Sequence, residues 1–138
     1  MLSNSHFALA VHFLCALSWN EGQVIGSGDI ARSMGTNPSF LRGLIGDLRK
    51  AGLVETKQGK GGGSLLARSS KSITLYDVYL ATETQPVVKS HTPDCQSACP
   101  VARNMDNVLA NVNRKLEDTL ITELKKTTVA DLVAQHIT

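Results

Sequence analysis

Apolar positions in the first part of the chain recur with the period of helices. Residues 4–19 are apolar on nearly every side, which predicts a helix buried on two faces, by its own domain and by a partner chain. Ser27 is a favourable N-cap for a short second helix that ends near Met34 and Gly35. The chain is therefore expected to open with one buried helix and one short surface helix.

A third helix is predicted after Asn37, which is suited to cap it, and Pro38, which suits the first helical position. Its apolar residues recur at helical spacing and predict a core face made of Leu41, Leu44, Ile45 and Leu48. The other face carries Gly43 and Gly46 beside basic residues. Since each glycine weakens a helix by about 0.8–1 kcal/mol relative to alanine, this free face favours close approach by another molecule.

Two short strands, residues 53–57 and 64–68, are predicted around the glycine-rich loop 58–63. A phosphate-binding Walker loop needs Gly-Lys-Ser/Thr at the start of a helix, whereas strand residues follow this loop. We therefore interpret the segment as a hairpin. Short helix, turn, amphipathic helix and hairpin, in that order, are typical of a winged helix-turn-helix.

The second half of the chain is predicted to be mostly helical. Thr74 and Asp77 form a capping-box pattern for a helix that runs to about Thr82. Residues 85–98 show little apolar periodicity and two prolines, and they are predicted to form an exposed loop. Thr128-x-x-Asp131 is expected to cap a short final helix.

A long helix is predicted to begin at Pro100 and to carry an apolar stripe over about 25 residues, or about 37 Å. Such a helix is longer than a domain of this size, so its stripe needs a partner, and a symmetric second copy is the simplest one. The fold class expected is mostly α with a small β-wing. Residues 1–82 are expected to form the winged helix-turn-helix, 83–99 a sensor or effector loop, and 100–138 the dimerisation helix with the short terminal helix.

Charge is distributed unevenly along the chain. The first 72 residues hold eight Lys/Arg and four Asp/Glu, and the remainder holds six and eight, so the first half suits contact with nucleic acid. The apolar segment 7–17 has no Lys or Arg before it and is too short to span a membrane. Three cysteines in a chain without export signals indicate a reducing compartment. We expect a cytoplasmic protein with no membrane partner.

The expected partner is double-stranded DNA. In a helix-turn-helix the first residues of the second helix meet base edges in the major groove, and basic side chains contact phosphates. We expect Asn37, Ser39 and Arg42 near the bases. The residues expected at the sugar-phosphate backbone are Arg49, Lys50, Lys57, Lys60, Gly61 and Gly62.

Several segments of the chain resemble a known family. They are Leu48–Val54, the loop from Gly59 to Gly63, Leu65–Arg68 and Ile73–Val78. Together they resemble the Rrf2 family of bacterial regulators, the IscR- and NsrR-type repressors, and the resemblance covers essentially the whole chain. It implies a homodimer that binds a palindromic operator through winged helix-turn-helix domains, with the long helix as the dimer arm.

The resemblance departs from the common pattern in the wing and in the sensor loop. Gln58 and Ser64 stand where members commonly have an arginine and an aromatic residue, so the wing contacts and the operator sequence are left open. Members that hold an iron–sulfur cluster use three cysteines in the loop before the dimer helix. Here that loop supplies His91, Cys95 and Cys99, one cysteine fewer and at tighter spacing.

The cysteines leave several sensor chemistries open. An iron–sulfur cluster normally takes four ligands, mostly thiolates, so Asp94, His91 or a partner chain's His12 would have to complete one. A zinc site likewise needs four convergent ligands. Alternatively, Cys99 precedes a helix whose N–H groups stabilise a thiolate, and Cys95 is near enough in sequence to resolve its sulfenic acid into a disulfide. Two exposed cysteines without a regulatory role are the plainest interpretation.

Two other assignments follow from the same residues. Cys15 lies within an apolar helix and is expected to be a core residue, because free cysteine is often fully buried, although it stays a cluster candidate. A thiol oxidoreductase would be expected to show Cys-x-x-Cys spacing in a βαβ pattern, which the sequence lacks, so we expect no enzyme. A winged helix used only for protein contacts would not need the basic wing.

Overall fold

A computed structural model describes residues 5–82, 85–89, 91, 93, 96 and 98–137. It confirms a mostly helical fold with one two-stranded antiparallel sheet. The elements are α1 (Ser5–Trp19), α2 (Ser27–Met34), α3 (Pro38–Lys50), β1 (Val54–Lys57), β2 (Gly63–Leu66), α4 (Leu75–Thr82), α5 (Pro100–Leu124) and α6 (Val129–His136), with a 3-10 turn at Ser70–Ser72.

The turn between α2 and α3 fixes how α3 leaves the domain. Gly35 ends α2 in the left-handed conformation, with φ of 66°, which glycine adopts without steric cost. Asn37 then caps α3, because its Oδ1 accepts a hydrogen bond from the Phe40 N–H over 2.7 Å. The predicted N-cap at Ser27 is wrong: Ser27 is already helical, and the N-cap residue is Gly26, which has no side chain to accept a hydrogen bond.

The hairpin β1–β2 forms a wing beside α3, with Val54 opposite Leu66 and Lys57 opposite Gly63. The second strand is Gly63–Leu66, one residue earlier at its start and two shorter at its end than the predicted 64–68. Ser64 of this strand also pairs with Ile25 through two backbone hydrogen bonds of 2.8 and 3.0 Å. At Gly63 any Cβ would overlap the Ile25 carbonyl, so the wing is fastened to the segment before α2.

One core joins the N-terminal helices to the last helix. Phe13 and Leu14 of α1 and Leu41 and Leu48 of α3 are fully buried in it. Val129 of α6 belongs to the same core. Helix α6 begins with the predicted capping box of Thr128 and Asp131. A backbone hydrogen bond of 2.8 Å runs from the Val129 N–H to the Ile73 carbonyl. Although α6 follows the long helix in sequence, it packs against α1.

The apolar stripe of α5 is divided into two flanks. One flank is covered by the chain itself: the Val88 N–H donates to Asn113 Oδ1 over 2.8 Å, and Leu109 and Leu120 are half-buried. The other flank is exposed and carries Val101, Val108, Val112 and Leu116. Within the described residues, no helix has the length and apolar character needed to cross a bilayer.

For the described residues between 85 and 98, the prediction of an exposed loop is only partly right. Gln85, Lys89 and Gln96 are exposed, but residues 86–88 are half-buried. Pro86 and Val88 lie along a cleft whose other wall includes Asp106, Leu109 and Asn113. Packing against α5 is a tertiary contact that the local polarity of the loop could not indicate.

Candidate nucleic-acid interface

The outward face of α3 carries the side chains that the sequence predicted for DNA reading. Its core face buries Leu41, Leu44, Ile45 and Leu48, which turns Ser39 and Arg42 outward. Arg42 donates from Nη2 to Ser39 Oγ over 3.1 Å, so the two side chains form one polar pair on the first turns of the helix. This pair is placed to meet base edges if α3 enters a major groove.

A groove of about 420 Å³ runs between α3 and the wing; we call it the helix–wing groove. Its charged lining residues are Arg42, Arg49 and Lys57, and the lining residues include no Asp or Glu. Gly46 lies on its helix side, and a Cβ there would meet nothing within 4 Å, so the backbone of α3 is open to close approach. The remaining lining residues are Ser27, Ile45, Thr56, Gln58, Gly59, Gly62, Gly63 and Ser64.

Asn37 has a structural task that competes with its predicted contact to bases. Its side-chain oxygen caps α3 on Phe40, so its amide nitrogen is the group left to donate to a base or phosphate. Lys50, at the other end of α3, is exposed. It lies outside the set of residues that line the helix–wing groove.

The wing tip is an exposed turn held by its own backbone. The Gly62 N–H donates to the Gly59 carbonyl over 3.0 Å, and Gly61 has a φ of 77°. A Cβ on Gly62 would overlap the Lys57 carbonyl, so this glycine is required by the turn itself as well as being available to DNA. Lys60 is exposed at the tip, where its ammonium group can reach a phosphate.

A ring contact that sequence reasoning missed flanks α3 on the side away from the wing. The imidazole of His6 stacks on the Phe40 ring, with ring centroids 5.0 Å apart and planes inclined by 16°. His6 carried no pattern that distinguished it from other surface histidines. The signal is purely tertiary, because it depends on the first turn of α1 meeting the first turn of α3.

The two described cysteines have opposite environments. Cys15 is buried in the core, as the sequence indicated, and burial raises the pKa of its thiol. Cys99 is exposed and is the N-cap residue of α5. The backbone N–H groups of Ala102 and Val101 interact with its sulfur and lower the pKa of the Cys99 thiol. Cys95 and Asp94 lie outside the described residues.

An iron–sulfur cluster does not fit the thiols of one chain. The sequence holds three cysteines, and one of them, Cys15, is buried in the core. The loop therefore offers at most two thiolates, whereas a cluster normally takes four ligands, mostly thiolates. Among the described residues no group of three His, Cys, Asp or Glu side chains comes together as a metal site. His91 and His12 are both exposed.

Comparison with known proteins shows which family has this architecture. Residues 3–135 match the family model Rrf2, described as iron-dependent transcriptional regulator. The chain belongs to the Rrf2 family. Its members are transcriptional regulators, and the fold agrees with that of solved members, so this chain is a DNA-binding transcriptional regulator by family.

Individual relatives match this Rrf2 chain over nearly their full length. YwnA of Bacillus subtilis (strain 168), named as an HTH-type transcriptional regulator, is 29% identical over 130 residues, which is 94% of this chain and 96% of that protein. A Lactobacillus plantarum protein named as a transcriptional regulator superposes with a TM-score of 0.82 at 25% identity, covering 96% and 91% of the two chains. IscR of T. potens superposes with a TM-score of 0.71 at 25% identity, covering 98% and 91%.

Proposed function

We propose that this Rrf2 protein is a homodimeric repressor that binds a palindromic operator through the outward face of α3 and the helix–wing groove. The observation that carries the proposal is the groove itself. It combines two arginines and a lysine with glycine backbone and no lining carboxylate. That combination suits a polyanion, since affinity for duplex DNA comes largely from basic groups at phosphates.

The proposed contacts divide by position. Ser39 and Arg42 on the first turns of α3 are assigned to base edges, with Asn37 contributing its amide nitrogen. Arg49 and Lys57, which line the helix–wing groove, are assigned to phosphates, and so are the exposed Lys50 and Lys60. Gly61 and Gly62 allow the wing tip to lie against the sugar-phosphate backbone.

The homodimer is proposed on the exposed flank of α5. Val101 is 64% exposed and Val108 47% exposed, and Val112 and Leu116 extend the same row at helical spacing. A second copy of the chain would bury this row symmetrically, which is the commonest way that a soluble protein covers such a surface. Two α3 helices would then meet successive major grooves, and that geometry calls for an inverted repeat in the DNA.

We further propose that DNA binding responds to the redox state of Cys99. Its thiolate attacks a peroxide oxygen, which gives a sulfenic acid and releases hydroxide or alkoxide. The Cys95 thiol then displaces water from that sulfur, so the two thiols end as a disulfide and the peroxide is reduced. Cys99 is exposed and has a lowered thiol pKa, as a sensing thiol requires. A cluster completed by His91 or by a second chain is the competing sensor chemistry.

The test is recovery of genomic DNA fragments on the purified full-length protein, followed by gel-shift titration of a recovered fragment at several salt concentrations. The proposal predicts a tight, salt-dependent shift and a fragment that contains an inverted repeat. A thiol oxidoreductase or a winged-helix module for protein contacts predicts no such shift. Colourless, iron-free protein after anaerobic purification would support thiol sensing, and bound iron with sulfide would support the cluster.

A further inference from the structure

We infer that His6 is a positioning residue for DNA reading, because its ring stacks on Phe40 and braces the first turn of α3. The inference rests on the proposed function, since it concerns how firmly α3 is presented to DNA. No pattern in the sequence assigns a role to His6. The geometry alone brings it to the interface.

Phe40 is an unusual apolar residue for this helix. It lies outside the buried core cluster and also outside the partly buried apolar residues packed against that core. Its ring is half-buried, and its described aromatic contact is the His6 imidazole. The pair is therefore a small contact apart from the core, and its location points to a local task at the start of α3.

That start is where the proposed base contacts are concentrated. Phe40 follows Ser39 directly, and its N–H is the group that Asn37 caps. Arg42 is two residues further on and donates to Ser39. A shift of the first turn of α3 would therefore move all three proposed base-contacting side chains together, so a brace at Phe40 acts on the whole reading surface.

The His6–Phe40 contact lies on the side of α3 that faces away from the wing. With 3.6 residues per turn, Phe40 points nearly opposite to the wing-facing residues Arg42, Gly46 and Arg49. The wing holds α3 from one side through Thr56 and Arg49. The His6 ring holds it from the other, and the outward face of α3 is framed between the two contacts.

The experiment uses the full-length protein, a genomic fragment recovered with it and a scrambled duplex of the same length. Loss of one stacked aromatic pair is expected to weaken affinity for the recovered fragment by about two- to tenfold in His6→Ala. Affinity for the scrambled duplex is expected to stay unchanged, because the proposed phosphate contacts remain. His6→Phe keeps a stacking ring and is expected to bind like the wild type.

A double-mutant cycle separates the stack from other effects of either ring. Phe40→Ala should show a similar loss, and the double variant His6→Ala/Phe40→Ala should lose no more than Phe40→Ala alone. Wild-type affinity in His6→Ala, equal losses on both duplexes, a loss in His6→Phe as large as in His6→Ala, or additive losses would each overturn the inference. Failure of the wild-type protein itself to bind any genomic fragment would instead refute the proposed function.

Discussion

Arg49 of α3 donates a hydrogen bond from Nη1 to Thr56 Oγ1 of β1, over 3.3 Å. Both side chains line the helix–wing groove, so the bond joins the helix proposed to read DNA to the wing. It orients the Arg49 guanidinium before any ligand is present. A pre-oriented arginine loses less side-chain freedom when it binds a phosphate than a mobile one does.

Replacing Thr56 by valine should therefore weaken DNA binding, because it removes the bond that orients Arg49. Valine keeps the β-branched shape that suits a strand, but it removes the hydroxyl that accepts from Arg49. We expect a loss of about 0.5–1.5 kcal/mol in binding free energy, the usual net contribution of one hydrogen bond, measured by gel-shift titration on a recovered fragment. Thr56→Ser, which retains the hydroxyl, is the matched control. Equal affinity of Thr56→Val and the wild type would show that the bond does not position Arg49.

Arg42→Ala should reduce both affinity and sequence preference. Arg42 projects from the first turns of α3 and pairs with Ser39, and an arginine that forms a bidentate pair with guanine discriminates bases by about 1–3 kcal/mol. The measurement is competition between the recovered fragment and single-base variants of it. If Arg42→Ala retained the wild-type ranking of those variants, Arg42 would have no part in base reading.

Lys60→Ala should change the salt dependence of binding more than the sequence preference. A lysine that neutralises one phosphate releases about one counterion, so the slope of log K against log salt should become shallower by about one. Lys126→Ala is the control, since Lys126 follows the end of α5, pairs with Glu123 and is far along the chain from the wing. A slope unchanged by Lys60→Ala would remove the wing tip from the phosphate contacts.

Cys99 should react as a thiolate at a lower pH than an ordinary cysteine. Because the folded-state pKa of Cys99 is lowered, the thiolate is populated in the native protein at pH values where it is mostly protonated in the unfolded chain. The pH profile of alkylation, read by mass spectrometry on native and denatured protein, should therefore be displaced to lower pH in the native state. Cys15, whose pKa is raised by burial, should stay unmodified until the protein unfolds.

The same thiol should control the response of DNA binding to oxidant. Cys99→Ser is expected to bind the recovered fragment normally and to keep binding it after peroxide or diamide treatment. Cys15→Ser should retain the oxidant response of the wild type. A wild-type response in Cys99→Ser would exclude Cys99 as the sensing group.

Local patterns were sufficient for most of the fold. The start of α3 followed from Asn37 and Pro38, whose capping and φ preferences act within one turn, and the structure confirms both. The long helix from Pro100 and the capping box at Thr128 were found in the same way. Each of these signals depends on residues close in sequence, and no tertiary contact overrides them.

Apart from the N-cap of α2, which is Gly26 and not Ser27, the errors arose where distant segments decide the outcome. The second strand ends earlier than predicted and pairs with Ile25, a partner that no local pattern names. Val88 is bonded to Asn113 of α5, which is 25 residues away in sequence. In the candidate site, the basic groups could be predicted from charge and helical face. The Thr56–Arg49 bond and the His6–Phe40 stack could not, since both depend on how α3 lies between the wing and α1.

The stoichiometry of the complex tests the central claim most directly. Sedimentation of the full-length protein with a recovered genomic fragment should show two chains on one duplex, and footprinting should protect two half-sites of an inverted repeat about one helical turn apart. A monomer in solution that shifts no genomic fragment more tightly than scrambled DNA would contradict the account.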